Sequence, residues 1–352
     1  MSDLLLEILA IASPTFHEEK KILFIKDWLS CYAFDGKLTQ IENNLLYEIV
    51  VDPTYPTIGL IGHCDVVPDH FEPKIENGKI YGAGVSDMHA GFVSYLELLK
   101  KSQKQLKYNI LLVIYSQEEG TPLDQNGLYR VIKTHKKTLQ KMDVAIVGEP
   151  TDNTIQMGCV GSLHAQVTVF GKAAHSARPW NGENALYNAL PLIEYFSKLK
   201  EESVLIENLE FKDVISITEC NVSKGRTTIP EACYLNINYR FSPNKTQIQA
   251  FDYLKDLVDK NLNCAYELNL VDSVPAGKIV YSDLLKNVMN TLGYKVEAKQ
   301  AWTDVAQISE LGIPCFNCGP GFQAQAHTKN EHASLSLITD YKTQLKKLLF
   351  KN

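Results

Sequence analysis

Positive charge is in short supply. Lysine and arginine number 35 against 41 aspartates and glutamates, a net charge of −6. That balance argues against a general binder of nucleic acid or of anionic membranes. No apolar run approaches the ~20 residues of a membrane span. There is no internal repeat and no low-complexity stretch. The eight cysteines are scattered at 31, 64, 159, 220, 233, 264, 315 and 318, which is not the dense framework of a small secreted domain. The opening Met-Ser-Asp-Leu-Leu-Leu-Glu lacks a basic n-region and reads as a helix with Ser2 near its N-cap. What is present is ordinary: 45 % hydrophobic and 22 % charged residues over 352 positions. Length alone suggests about two domains. The expectation is a soluble cytoplasmic protein with reduced thiols, and neither nucleic acid nor membrane as a partner.

Periodicity organises the first half. Residues 17–32 place Ile22, Ile25 and Leu29 at helical spacing, and 57–62 form a short apolar run ending in glycine. Helix is expected over 88–101 and 126–139, and strand over 109–115 and 143–148. This alternation predicts an α/β fold with a central, mostly parallel sheet and helices on both faces. After Gly161 the texture changes. Residues 163–170, 214–222, 232–241 and 264–272 read as strands, and 184–200 and 244–260 as helices. They suggest an inserted α+β domain over 161–273, within a discontinuous domain of 1–160 and 274–352.

Ligands on such sheets gather beyond the carboxyl ends of the strands, and polar residues stand there. His63 follows the first apolar run, and Asp65 is placed to hold its second ring nitrogen. Gly82-Ala83-Gly84 precedes Asp87 but lacks the lysine–serine pair of a phosphate loop. Asp87 therefore reads as a ligand of a metal pair, and His89 as a bystander on the helix. Glu118 and Glu119 follow 109–115. Adjacent acids repel unless a cation offsets them, which suits one to ligation and the other to proton transfer. Glu149 adds a third strand-end acid, and His327 a second histidine in a loop after Gly319-Pro320-Gly321. Each taken singly is equally an ordinary loop residue. Together they offer nitrogen and carboxylate ligands for zinc, cobalt or manganese. Two metals sharing a carboxylate would bring a water from a pKa of about 15.7 towards ~7. Cys315-Phe-Asn-Cys318 has no second cysteine pair nearby and reads as ordinary strand-end cysteines.

The motifs Gly-His-Cys-Asp-Val-Val-Pro, Gly-Val-Ser-Asp-Met, Glu-Glu-Gly, Gly-Glu-Pro-Thr, Gly-Lys-Ala-Ala-His-Ser-Ala-Arg-Pro-Trp and Ala-His-Thr occur in this order. With them the chain resembles the M20 family of dinuclear zinc aminoacylases and peptidases, along nearly its whole length. The resemblance implies a zinc aminopeptidase-like fold, an inserted dimerisation domain, and two Zn2+ (or Co2+) per subunit. His63, Asp87 and Glu149 would hold one metal, and Asp87, Glu119 and His327 the other. Glu118 would be the general base acting on a metal-bound water, with Asp65 orienting His63. His175 would reach the partner's active site in a homodimer and bind the oxyanion.

The implied substrate is a small N-acyl amino acid, with removal of succinate from N-succinyl-LL-2,6-diaminoheptanedioate as the first choice. Trp302-Thr303-Asp304-Val305-Ala306 and Asn317-Cys318-Gly319-Pro320-Gly321 support that choice. Deacylation of another amino acid, such as acetylornithine, or dipeptide cleavage is the alternative. Such a substrate has carboxylates at both ends, which arginine forks bind best. Arg178 and Arg240 are the candidates, with backbone amides around Gly319. Where the family often carries asparagine before an Ile-Pro pair, this chain has Thr228, a hydroxyl donor. Where relatives carry Arg-Arg-Gly-Ser, it has Gly158-Cys159-Val160-Gly161-Ser162, which removes one carboxylate contact.

Overall fold

The computed structural model describes residues 3–67, 70–100, 105–223 and 225–351. Ser2 and Pro68 lie outside them. The chain divides into two compact units. The first comprises the residues up to Gly158, Lys278–Glu297 and those from Thr303 onward. The second comprises Cys159–Gly277 and Ala298–Trp302.

The first unit is built on an eight-stranded sheet. At its centre Asn109–Tyr115, Thr57–His63, Val144–Val147 and Cys315–Asn317 lie side by side, all parallel. Their apolar runs are buried throughout, as parallel strands covered on both faces require. Successive residues serve opposite faces. Ile61 packs with Leu128, Val131, Val305 and Ile308 from the helices Gly127–Leu139 and Val305–Glu310. Its neighbour Gly62 faces Phe92 of the helix Ala90–Leu99, where a Cβ would stand 2.7 Å from the Phe92 Cβ. Outside the parallel core, a hairpin of Lys37–Ile41 and Asn44–Ile49 joins antiparallel to Asn109–Tyr115. This hairpin has no counterpart in the alternation read from sequence, because its two-residue turn, Glu42-Asn43, contains no glycine or proline. The helix expected over 88–101 begins at Ala90. Val85–His89 is an irregular turn in which Asp87 and Met88 leave helical φ/ψ.

The second unit holds a five-stranded sheet. Gly161–Phe170 lies between Ala232–Phe241 and Tyr266–Val274, antiparallel to both. The helices Ala185–Lys198 and Gln247–Asn261 bury one face against it, with Leu163, Val167, Leu235, Ile237, Leu192 and Leu254 in the core. Residues 159–160, 274–277 and 298–302 fall in this unit, whereas the sequence reading assigned them to the other domain. Hydrogen bonds explain the difference. Val160 N–H donates to the Lys299 carbonyl (3.3 Å), Gln300 exchanges bonds with Glu210 and Lys212, and Trp302 Nε1 donates to the Pro275 carbonyl.

One close approach in the first unit is testable. Gly91 in the helix Ala90–Leu99 abuts the carbonyl of Gly148, next to Glu149, and a Cβ there would lie 2.2 Å from that oxygen. Alanine normally favours a helix interior over glycine by about 1 kcal/mol. Here the overlap with backbone dominates, so Gly91→Ala should destabilise by about 1–3 kcal/mol. A urea midpoint at or above the parent's, at unchanged slope, would refute the packing argument.

Candidate active site

Parallel register sets three strand ends level. His63 is opposite Tyr115, and Ile61 opposite Val147. The residues just beyond those ends are Asp65, then Glu118 and Glu119, then Glu149. Asp87 enters from the turn Val85–His89, and His327 from the loop after Gln323–Gln325.

The polar atoms converge. His63 Nε2 lies 3.3 Å from Asp87 Oδ1, and the other oxygen, Asp87 Oδ2, lies 3.4 Å from His327 Nε2. His327 Nε2 is 3.0 Å from Glu119 Oε2. The donor atoms of His63, Asp87 and Glu149 all lie within 4.8 Å of one another. So do those of Asp87, Glu119 and His327. The two triads share Asp87. His63, Glu118 and Glu119 form a third group of the same kind. His63 is 1 % exposed. Its Nε2 makes no regular hydrogen bond, with Asp87 Oδ1 at 3.3 Å as the nearest charged oxygen. A buried imidazole nitrogen without a partner, set among carboxylate oxygens, fits a cation site.

Asp65 is fully buried and acts on two neighbours. Its carboxylate accepts the N–H groups of Glu118 (3.1 Å) and Glu119 (2.9 Å). His63 Nδ1 is 3.5 Å from Asp65 Oδ1, and nearer still, at 3.2 Å, to the Asp65 carbonyl. Gln117 and His327, which set the directions of Glu118 and of the second histidine, have left-handed backbones with φ of 57° and 60°. Such strain in residues other than glycine clusters at functional sites.

Charge is badly balanced here. Burial pushes the Glu118 carboxyl well up, and the carboxylates of Glu119, Asp304 and Glu149 add to the shift against the opposing effect of His63. Burial also raises Glu119. The histidines respond in the opposite sense. His327 is pushed up to about 10 by its bonds to Asp87 and Glu119. Burial opposes protonation of His63, but Asp65 and Asp87 prevail and raise it well above the ordinary range. Protons on imidazole thus supply the positive charge that this carboxylate cluster demands. Divalent metal ions supply it more completely, from the same donor atoms.

The profile of peptidase family M20/M25/M40 matches residues 59–350. The chain belongs to this family. It is 33 % identical to the succinyl-diaminopimelate desuccinylase of Corynebacterium glutamicum, over 96 % of this chain and 93 % of that protein. It is 32 % identical to a putative succinyl-diaminopimelate desuccinylase of Mycobacterium tuberculosis, over 80 % of this chain and 78 % of that one. The fold matches a tripeptidase of Staphylococcus aureus with a TM-score of 0.79 at 20 % identity, covering 98 % of this chain and 95 % of that one. The M20 family is metal-dependent, and the histidine and acidic donors above form groups of the kind that could hold metal ions.

Of the remaining candidate residues of this M20 chain, His175, Arg178, Thr228 and Arg240 fall in the second unit and Gly319 in the first. His175 is exposed on the short strand Ala174–His175 and pairs directly with Thr228, also exposed. His175 Nδ1 accepts the Ala177 N–H at 3.0 Å, which leaves Nε2 as its outward nitrogen. Arg240 is half-buried in the strand Ala232–Phe241, with Nε donating to Asn238 Oδ1 at 3.0 Å. Among the described residues neither Arg178 nor Arg240 pairs with a carboxylate. Gly319 requires a correction. Its N–H donates to Thr151 Oγ1 at 3.1 Å, so it offers no free amide to a substrate carboxylate. It is a close-packing glycine instead, with a Cβ position 2.3 Å from the Gly148 carbonyl. No helix among the described residues is long and apolar enough to cross a membrane.

Three features around the site carry no role in the sequence reading, although Asp304 lies in one of the quoted motifs. Asp304 is fully buried and accepts from Tyr115, Asn126 and Gln307. Glu331 accepts backbone amides from the turn that carries Asp87. Lys21 is fully buried with Nζ 3.0 Å from His89 Nε2, which is also 3.1 Å from the Cys64 carbonyl. His89 is therefore a tie behind the site and belongs to none of the ligand groups.

Burial pushes the Lys21 ammonium down to about 7, against about 10.4 in an unfolded chain. Between those values the unfolded chain holds the extra proton, so stability rises with pH, while below pH 7 the full penalty applies. At about 1.4 kcal/mol per pH unit, the parent should gain about 2 kcal/mol more than Lys21→Met between pH 7 and pH 9. Urea unfolding at the two pH values measures this. Equal pH slopes for parent and variant would mean that Lys21 stays charged in the fold.

Proposed function

We propose that this chain is a metal-dependent amide hydrolase that removes succinate from N-succinyl-LL-2,6-diaminoheptanedioate, in diaminopimelate and lysine synthesis. The observation that carries this reading is the pair of donor triads sharing Asp87, with Glu118 beside them and in neither. The donor set is imidazole nitrogen and carboxylate oxygen, which suits zinc or cobalt. His63, Asp87 and Glu149 would hold one ion, and Asp87, Glu119 and His327 the other. When bound, such a pair polarises an amide carbonyl and acidifies water towards a pKa of ~7.

The chain's own residues do the rest. Glu118 takes a proton from water and hands it to the leaving amine nitrogen. Its raised proton affinity suits both transfers. Asp65 keeps His63 turned so that Nε2 faces the ions. His175 stabilises the oxyanion, donating from the partner subunit of a cytoplasmic homodimer. Arg240 and Arg178 bind the substrate's terminal carboxylates, and Thr228 adds a hydroxyl donor. Support for the substrate comes from the relatives named as succinyl-diaminopimelate desuccinylases. The two arginines, neither paired with a carboxylate among the described residues, agree with a substrate that carries a carboxylate at each end.

Zinc-loaded protein should release succinate from N-succinyl-LL-2,6-diaminoheptanedioate, lose that activity to a chelator, and release far less acetate from N-acetylornithine. Acetate release alone would leave the metal chemistry standing and discard the succinyl substrate. Glu118→Gln should abolish turnover while metal analysis still finds both ions, and a near-normal rate would remove its role as base. His175→Ala should lower kcat by about two orders of magnitude, the effect of losing one oxyanion donor. An unaltered rate would remove that assignment.

A further inference from the structure

Both acid-bearing turns of the site are held from behind by glutamates that are not metal ligands. Glu18 is fully buried at the start of the helix Glu19–Tyr32, yet its side chain does not cap that helix. Its Oε1 instead accepts the N–H of Phe16 (2.9 Å) and, 99 positions along the chain, the N–H of Gln117 (3.1 Å). Gln117 is the left-handed residue immediately before Glu118. The next two amides, of Glu118 and Glu119, go to the Asp65 carboxylate. Three consecutive backbone N–H groups thus end on buried carboxylates, and Thr121 Oγ1 closes the turn on the Gln117 carbonyl at 2.7 Å.

The Asp87 turn is held the same way. Glu331 is fully buried. Its Oε2 accepts the Gly84 N–H (2.6 Å), and its Oε1 accepts those of Ser86 (2.7 Å) and Asp87 (2.9 Å). Neither glutamate belongs to a donor triad.

We propose that Glu18 and Glu331 are positioning residues: each fixes one acid-bearing turn by accepting its backbone amides, which sets Glu118 and Asp87 in their places. This rests on the hydrolase reading above for the role of Glu118, but the backbone contacts do not depend on it. The two anchors differ in one useful respect. Both oxygens of Glu331 accept, whereas Glu18 Oε2 has no hydrogen-bond partner. Glutamine can therefore replace Glu18 with its carbonyl in the Oε1 position. At Glu331 a glutamine must turn its NH2 towards a backbone donor, whichever way it is oriented.

The test uses the full-length, metal-loaded protein with Glu18→Ala, Glu18→Gln and Glu331→Gln. Glu18→Ala should lower kcat by about tenfold to a hundredfold, the scale of a displaced catalytic group. Its KM should stay near the parent value, with both ions still bound by metal analysis. Amide hydrogen exchange should accelerate at Gln117 and stay slow at Glu118 and Glu119. Glu18→Gln should restore both kcat and protection. Glu331→Gln should lose kcat, with faster exchange in residues 84–87. Parent-like kcat and exchange in Glu18→Ala would overturn the proposal. So would a Glu18→Gln protein as impaired as Glu18→Ala, since that would make charge and not amide acceptance the requirement. Should Glu18→Ala not fold, the contrast decides: an active Glu18→Gln beside an impaired Glu331→Gln supports the inference, and the reverse order overturns it. A parent that releases no succinate would sink the substrate reading alone, and the exchange measurements would still decide the anchors.

Discussion

Repulsion among buried carboxylates governs this molecule. Asp65, Asp87, Glu119, Glu149, Asp304 and Glu331 are all withdrawn from solvent at or around one end of one sheet, with Glu118 among them. Desolvated acids at this density raise one another's proton affinity. They stay ionised only where something answers the charge. Three answers are visible. Two imidazoles face Asp87 and Glu119. Backbone amides face Asp65, Glu18 and Glu331. Hydroxyl and amide side chains face Asp304. The acids with amide or hydroxyl donors can serve as scaffold. Asp87 and Glu119 face imidazole instead, and Glu118 stands beside them, so these are the acids the proposed reading assigns to metal and to protons. The assignment of roles follows from which partner each carboxylate already has.

The sheet makes that sorting possible. Parallel strands in register deliver their following residues to one edge, and side chains there converge without any long-range design of the loops. Convergence at this density also needs backbones to approach closely. Gly91 and Gly319 both press on the carbonyl of Gly148, immediately before Glu149. Glu149 is thus placed by the absence of two side chains as much as by its own strand. The left-handed residues Gln117 and His327 do the complementary work, bending the chain where a regular turn would aim the acid or imidazole elsewhere.

The central strands and the helices over them were legible because their apolar runs are long and regular. The donor residues were legible for a related reason: each follows a buried strand or a glycine-marked turn. The anchors were not legible. Glu18 stands before Glu19 at a helix start, where acids are common for the helix dipole alone, and nothing local says that its carboxylate faces Gln117. Lys21 stands four and eight positions before Ile25 and Leu29, on the buried side of its helix, but a lysine there reads as an exposed flank and not as a wholly buried group. Asp304 lies next to Thr303 in a loop-like string whose partners sit at 115 and 126. Gly319 misled because a glycine-rich loop suggests free amides, while its N–H was already committed to Thr151. Local patterns carry what a residue is. What its hydrogen bonds reach across 50 to 250 positions is a property of the folded chain.

The chemistry and the specificity of the proposed enzyme come from different parts of the sequence. Every metal-donor residue and the base Glu118 belong to the first unit, and every remaining candidate for the substrate's carboxylates, Arg178, Thr228 and Arg240, belongs to the second. On the proposed reading, Arg178, Thr228 and Arg240 would select what is hydrolysed, apart from the residues that do the chemistry. Arg240 illustrates the economy of this arrangement. Its Nε is tied to Asn238, which aims the guanidinium and costs the chain only one donor. The rest of the fork pairs with no carboxylate of the described residues, which suits the substrate contact proposed for it.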